Sequence, residues 1–485
     1  MRSDRPDVGR SRPRLGSVSP PRRNGARSAT DRQEAPIPIP VLSRARDAGP
    51  GARLARLVPP SLLTAPPPVR RRTAIVWRSL LTRTCFVGVT GSAGKTTAKE
   101  LLAAVLEVRG PVARSRRSLN TPEEVARTVL STRRRHRTAV VEVSAHESGL
   151  IAASLRILRP RVALVTCVGS DHYTLYRGAD AVAAEKARLV ASVPRDGVAL
   201  LNADDERVRA MAGACRGRVV LFGTSPEAEL RASDVRADWP GRLAFTATWA
   251  GESAPVLTRF VGDHWLPSVL GAMAGGLALG VPLAEAAAAV ARVEPSPGRL
   301  SPLETPEGIT FLRDDWKSPM WSVPRALDVL RRASADRKVA VIGTISDAPG
   351  SKSRAYRRVA AQALELADVV VFVGPHAHLA LQAEPAPGKF LHVAATVREA
   401  SQLLRGLLRP GDLVLLKGSS SADHLARLAL EWTREVGCWR TRCGRALLLC
   451  DHCRLLPIPH GEDGGSAVGA GDRTGRDRDR SVATG

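Results

Sequence analysis

Residues 86–102 read FVGVTGSAGKTTAKELL, and no other stretch of the chain restricts its fold as tightly. An apolar run ends in a Gly-rich turn, and the turn opens an amphipathic helical stretch. That order aims backbone N–H groups and a helix N-terminus at one point, which suits a phosphate. Lys95 adds a point charge, and the hydroxyl of Thr96 is of the kind that ligates Mg²⁺. The common loop, G-x-x-x-x-G-K-[ST], needs glycine at position 89, where Val89 stands. The chain reads instead Gly88-Val89-Thr90-Gly91-Ser92-Ala93-Gly94-Lys95-Thr96-Thr97.

The rest of the chain supplies the sheet that such a loop requires. Short β-rich runs, CFVGVT, AVVEVS, RVALVTCV, GVALLN and RVVLFG, alternate with alanine-rich helical stretches. Strands separated by helices predict a parallel sheet with crossover helices, hence an α/β fold. A second block repeats the alternation with ITFLRDD, KVAVIGTI, DVVVFVG, KFLHVA and DLVLLKG. Between the blocks lies a helical stretch followed by the Pro/Gly break EPSPGRL, placed to act as a hinge. The expected division is an N-terminal extension over 1–72, α/β domains over 73–297 and 298–436, and a tail over 437–485.

The extension holds 16 arginines against five acidic residues in a proline-rich setting. It is expected to be a disordered, solvated tail; a nucleic-acid or membrane arm is the alternative. The formal charge of +25 would raise nucleic acid as a partner, but aromatic residues make up 4% of the chain and none interleave with basic motifs, which argues against it. No window of about 18 uninterrupted apolar residues predicts a membrane span, and the first residues lack the apolar core of a secretory signal. A cytoplasmic location is expected.

The loop form T-G-S-x-G-K-T-T resembles that of the Mur ligases, especially the branch that adds D-alanyl-D-alanine in peptidoglycan synthesis. Further stretches follow in the family's order. SLNTPEEVARTVL brings Asn120, VVEVSAHESGLI brings Glu142, and His172 and Lys186 keep a fourteen-residue spacing. LLNADD brings Asn202, GRL brings Arg299, RDDWKSP brings Asp314, Asp315 and Lys317, and LVLLKGS brings Lys417 and Ser419. Only eight of the 72 basic residues are lysines, so Lys95, Lys186 and Lys417 are hard to attribute to general surface usage. Asp315 and Lys317 look more like the aspartate–x–lysine of the D-glutamate-adding branch, and Trp265 and Ser268 stand where the family has asparagines. The domain that binds a UDP-linked substrate in family members has no evident counterpart in residues 1–72.

The resemblance implies a central P-loop ATPase domain with a mostly parallel sheet and a C-terminal Rossmann-like α/β domain. It implies ATP-driven amide formation between small-molecule acid and amine substrates through an acyl phosphate. Thr90, Gly91, Ser92, Gly94, Lys95, Thr96 and Thr97 would surround the phosphates, with Asn202 and Asp314 on the rest of the nucleotide. Thr96 and Glu142 would hold Mg²⁺, and His172 a second metal oriented by a carbamylated Lys186. Arg299 would reach the γ-phosphate from the hinge. Asn120, Asp315, Lys317, Lys417 and Ser419 would contact the coupling partners, which belong to a cell-wall precursor or a specialised metabolite. A catalytically inactive nucleotide-binding scaffold, with a protein partner, is the alternative.

Cys438, Cys443, Cys450 and Cys453 give C-x4-C-x6-C-x2-C, a candidate for structural Zn²⁺ with four thiolates. An unligated or redox-active cluster is the other reading.

Overall fold

The computed structural model describes residues 60–145, 147–169, 178–348, 350–441, 443 and 449–460. His172 and the greater part of the N-terminal extension lie outside them. Among the described residues no helix is long and apolar enough to cross a membrane.

Nine strands form the first sheet: β1 (Cys85–Thr90), β2 (Val112–Arg114), β3 (Thr138–Glu142), β4 (Val162–Val165), β5 (Val198–Asn202), β6 (Arg218–Gly223), β7 (Leu230–Arg236), β8 (Ala244–Trp249) and β9 (Glu252–Leu257). Their order is β2-β3-β1-β4-β5-β6-β7-β8-β9, parallel as far as β7 and antiparallel from there. Alternate residues of β1 point to opposite faces. Val87 and Val89 enter a core with Leu101, Leu102 and Met273, whereas Phe86 enters one with Val141, Leu158 and Leu189. The continuous apolar runs in the sequence follow from this, because a sheet covered on both faces has no solvent side.

The described helices of this half are α1 (Pro60–Thr64), α2 (Pro67–Leu80), α3 (Lys95–Glu107), α4 (Pro122–Ser131), α5 (Leu150–Leu158), α6 (Ala179–Ala191), α7 (Glu206–Ala210), α8 (Leu266–Ala278) and α9 (Leu283–Ala291). The first two correct the expectation that disorder runs to residue 72. Ala74, Trp77 and Leu81 pack with Val125 and Val129, and Trp77 Nε1 donates to the Thr132 carbonyl at 3.0 Å. Buried Arg70 meets Glu123 at 3.0 Å. Prolines 67 and 68 occupy the first helical turn, where a missing N–H costs nothing, so proline content there marks a helix start.

The second sheet has β10 (Ser301–Glu304), β11 (Thr310–Asp314), β12 (Arg337–Ile342), β13 (Val369–Val373), β14 (Phe390–Ala394) and β15 (Asp412–Lys417), in the order β10-β11-β15-β12-β13-β14. All neighbours are parallel except β10 and β11. The covering helices are α10 (Val323–Arg332), α11 (Lys352–Leu366), α12 (Val397–Leu407) and α13 (Ala426–Leu430).

Beyond α13 the chain returns to the second sheet. Cys450 and Leu456 pack on Ala426 and Leu430, and Asp451 accepts two hydrogen bonds from the Arg313 guanidinium, at 2.6 and 2.9 Å. The zinc expectation gains no support here. Among the described residues, which include all four cysteines of the cluster, no group of three or more His, Cys, Asp or Glu side chains is placed to hold a metal ion. Cys450 packs as a small apolar group, with Cys453 partly buried against the same cluster. Burial pushes the Cys450 thiol up to about 11.

Asp451→Ala is expected to destabilise the chain by about 3 kcal/mol in urea unfolding, because it strips the paired fork from a buried guanidinium. Exposed Asp180→Ala, facing Arg207, is expected to change stability by less than about 1 kcal/mol.

Buried His424 lies with Nδ1 3.7 Å from Cys450 Sγ, and burial pushes its imidazole down to about 4. The unfolded chain therefore takes up this proton near pH 6.5, well before the folded chain does. Stability is full above that pH and declines as pH falls toward about 4. At pH 5 the loss from His424 is about 2 kcal/mol, and thermal melts should show a smaller acid shift for His424→Phe.

Candidate active site

Parallel pairing brings the carboxyl ends of β1, β3 and β4 side by side, with Val89 opposite both Glu142 and Leu164. Open α/β sheets place ligands at this edge. The loop 91–94 leaves β1 and feeds α3 at Lys95, so the helix N-terminus faces the same point.

Two glycines shape the turn. Gly94 has φ +74, a left-handed backbone that side chains rarely adopt, and a Cβ there would stand 2.2 Å from Ser268 Oγ. At Gly91 a Cβ would stand 2.0 Å from Thr166 Oγ1. The loop is held from beneath. Thr166 Oγ1 donates to the Ala93 carbonyl at 2.6 Å, Asn202 Nδ2 to the Thr166 carbonyl at 2.9 Å, and Thr90 Oγ1 to the Val143 carbonyl at 3.0 Å. Asn202 and Thr90 thus spend their polar atoms on backbone. Ser92 Oγ accepts from the Gly169 N–H at 2.7 Å, and buried Thr97 sits in the first turn of α3. Lys95 Nζ folds over the turn, donating to the Gly91 carbonyl at 2.7 Å.

The next shell of contacts joins both halves of the protein. Thr96 Oγ1 donates to Glu142 Oε2 at 2.9 Å, and Asn120 Nδ2 donates to Glu142 Oε1 at 2.8 Å. Arg299 Nη2, from the turn after the Pro/Gly break, donates to Ser118 Oγ at 2.8 Å and Thr96 Oγ1 at 3.2 Å. Burial lowers the Arg299 guanidinium from its ordinary value, against the pull of Glu142 and Asp314. A buried carboxylate beside a hydroxyl is a hard, all-oxygen donor pair that suits Mg²⁺.

From the second sheet, Lys417 stands opposite Asp314 across β15 and β11 and donates to it at 2.7 Å, and to the Lys317 carbonyl at 2.9 Å. Lys317, just after β11, is exposed. Desolvation in the cleft, then the Lys95 and Arg299 cations, push its ammonium below the usual lysine range. Asp315 is buried beside Arg313 at 3.5 Å. The Ser419 N–H donates to Asp423 at 3.0 Å. Asp423 also accepts from the Thr344 N–H at 2.7 Å, tying the ends of β12 and β15 together. Lys186 is buried in α6, whose neighbouring Glu185 accepts from the Gly149 N–H at 3.1 Å. The structure therefore gathers Thr96, Asn120, Glu142 and Arg299 by direct contact, with Lys95 on the adjoining turn.

Three participants escaped the sequence reading. Ser118 lies in SLNTPEEVARTVL with no role assigned to it from the sequence, yet it carries the Arg299 contact. Asp423 sits in no motif. Lys99, fully buried, donates to the Ser115 carbonyl at 2.8 Å and also to that of Arg117, bracing the segment that presents Ser118 and Asn120. The scarcity of lysine could have singled it out, since a chain that uses arginine on its surface has a reason for each lysine it keeps.

Residues 89–276 match the Mur ligase middle domain, and residues 298–420 match the Mur ligase glutamate ligase domain. The UDP-N-acetylmuramoyl-tripeptide–D-alanyl-D-alanine ligase of Mycobacterium bovis is 31% identical over 361 residues, covering 70% of this chain and 71% of that protein. The enzyme of the same name from Escherichia coli is 28% identical over 341 residues, covering 69% and 74%. Crystal structure I of MurF from Acinetobacter baumannii superposes with a TM-score of 0.67 at 25% identity, over 75% of this chain and 80% of that one. With both domains matched in order around a loop that joins lysine, threonine and a buried glutamate, the chain belongs to the Mur ligase family of ATP-dependent C–N ligases.

Proposed function

We propose that this chain joins the carboxylate of a cell-wall precursor peptide to an incoming amino acid or dipeptide, as the D-alanyl-D-alanine-adding relatives named above do. The observation that carries the reading is the reach of Arg299 across the domain boundary to Thr96 and Ser118.

The substrate carboxylate attacks the γ-phosphate of ATP, giving an acyl phosphate and ADP. The amine then attacks the acyl carbon, a tetrahedral intermediate forms, phosphate departs and the nitrogen loses its proton. Both steps build negative charge on oxygen, so the site's task is fixed positive charge and donors. The N–H groups of loop 91–94 and Lys95 would hold the phosphates. Thr96 and Glu142 would hold Mg²⁺, which supplies charge neutralisation there. Arg299 completes the cluster only when the domains meet, which couples closure to chemistry.

In the same reading Lys186, as a carbamate, and His172 would hold a second metal, which would supply further charge neutralisation. Asp314 would orient the nucleotide, partnered by Lys417; Lys317 and Ser419 would contact the amine, whereas Asp315, buried beside Arg313, would act from behind them. A cytoplasmic location accompanies use of ATP.

The test is phosphate release from ATP with UDP-N-acetylmuramoyl-tripeptide and D-alanyl-D-alanine, set beside a panel of other acids and amines. Release that requires both partners supports the reading. No stimulation by any pair, with Lys186→Ala indistinguishable from the parent, would overturn it in favour of a scaffold. Lys186→Ala is expected to lower turnover about 100-fold. Lys186→Arg should fail to restore it, because a guanidinium does not lose its proton to accept CO₂.

A further inference from the structure

The edge of the first sheet opposite the phosphate loop is built from arginine. β2, β3, β1, β4, β5 and β6 are parallel neighbours, so the loops entering them share one edge. Those loops read VRGP, TRRRHR, LTRT, RPR, SVPRDG and CRG, and every one carries arginine. Together they hold ten arginines and a single acid, Asp196, which is already paired with Arg161. More than a third of these residues are arginine, whereas 72 basic residues in 485 make the chain average about a seventh. Arg109, Arg134, Arg135, Arg195 and Arg216 are exposed and form no ion pair among the described residues. General arginine usage therefore does not account for the cluster.

The shape of the edge selects among anionic partners. Six strands spaced about 4.8 Å apart spread the charge along a row of roughly 24 Å, with no groove implied. The loops hold no Phe, Tyr or Trp on which a base could stack. Beside them stand exposed aliphatic side chains, Leu80 at the end of α2 and Val108 just after α3, 45% and 39% exposed. Guanidinium forks with interspersed aliphatics match a phosphate-covered apolar layer. The six residues of β1 set this edge about 20 Å from the phosphate loop, so contact there leaves the active site open.

We propose that this arginine edge docks the protein reversibly on an anionic phospholipid surface. Docking is electrostatic, weakened by salt, and separate from the ligase chemistry.

Co-sedimentation of the full chain with vesicles tests it. Binding is expected to vesicles containing phosphatidylglycerol, to be absent from pure phosphatidylcholine, and to be lost as salt rises. An arginine near such a surface contributes about fivefold in affinity, so Arg134→Glu/Arg135→Glu/Arg137→Glu should weaken binding a hundredfold or more. Its melting temperature and its phosphate release in solution should stay at parental values. Arg195→Glu/Arg216→Glu, on two other loops, supplies a second reading should the triple variant misfold. Parental binding by either folded variant would assign the affinity to the N-terminal extension and overturn the proposal. Binding equal on neutral vesicles, or tighter to an RNA oligonucleotide than to the anionic vesicles, would overturn it as well.

Discussion

Lys95→Met is expected to lower kcat by about 10²–10³ while the fold stays intact, because Lys95 is the cation carried by the phosphate loop itself. Its ammonium rests on the Gly91 and Ser92 carbonyls, 2.7 and 3.4 Å away, so it is held over the turn before any phosphate arrives. Removing it takes away charge stabilisation that grows as the γ-phosphoryl group transfers. The methionine keeps the length and apolar stem, so thermal unfolding should move little. Initial rates of phosphate release at saturating substrates read the effect. Lys95→Arg should not rescue, since a planar fork replaces a compact ammonium over a tight turn. A loss under tenfold would show that the loop does not serve phosphoryl transfer.

Arg299→Ala should cost about as much in kcat, 10²–10³, with a different signature. Arg299 joins the phosphate-loop threonine only across the domain boundary, so it contributes to the closed state and little to nucleotide capture in the open one. The dissociation constant for ATP, read by equilibrium titration, should change less than about threefold while turnover collapses. Arg299→Lys should recover little, because one ammonium cannot reproduce the pair of contacts to Ser118 and Thr96. Equal losses in binding and turnover would mean that Arg299 is an ordinary phosphate ligand.

Local order was readable because it is written in local pattern. The phosphate loop sits between the strand and helix that its own residues predict, and the runs of both blocks became strands with ends within three residues. The antiparallel ribbon β7 to β9 was not legible. LRASDVR and ESAPVL alternate weakly with solvent and have no crossover helix to announce them. The two helices hidden in the basic extension were masked by composition, since an apolar stripe of Ala74, Trp77 and Leu81 is diluted by the arginines around it. The cysteine spacing left the role of its thiols open for a related reason. Spacing reports which thiols are near in sequence, while burial against Ala426 and Leu430 decided what Cys450 does.

The sequence by itself determined the α/β class, the phosphate loop and the candidates Lys95 and Thr96, because each depends on periodicity or on residues adjacent along the chain, whereas Glu142 and Arg299 became candidates through the resemblance of their stretches to the Mur ligases. Only the tertiary structure decided that Ser118, Asn120 and Arg299 meet Thr96 and Glu142, that Asp451 claims Arg313, and that arginines from six separate loops form one edge. Those contacts join residues tens to more than a hundred positions apart. Parallel pairing and packing set such distances, and no local pattern encodes them.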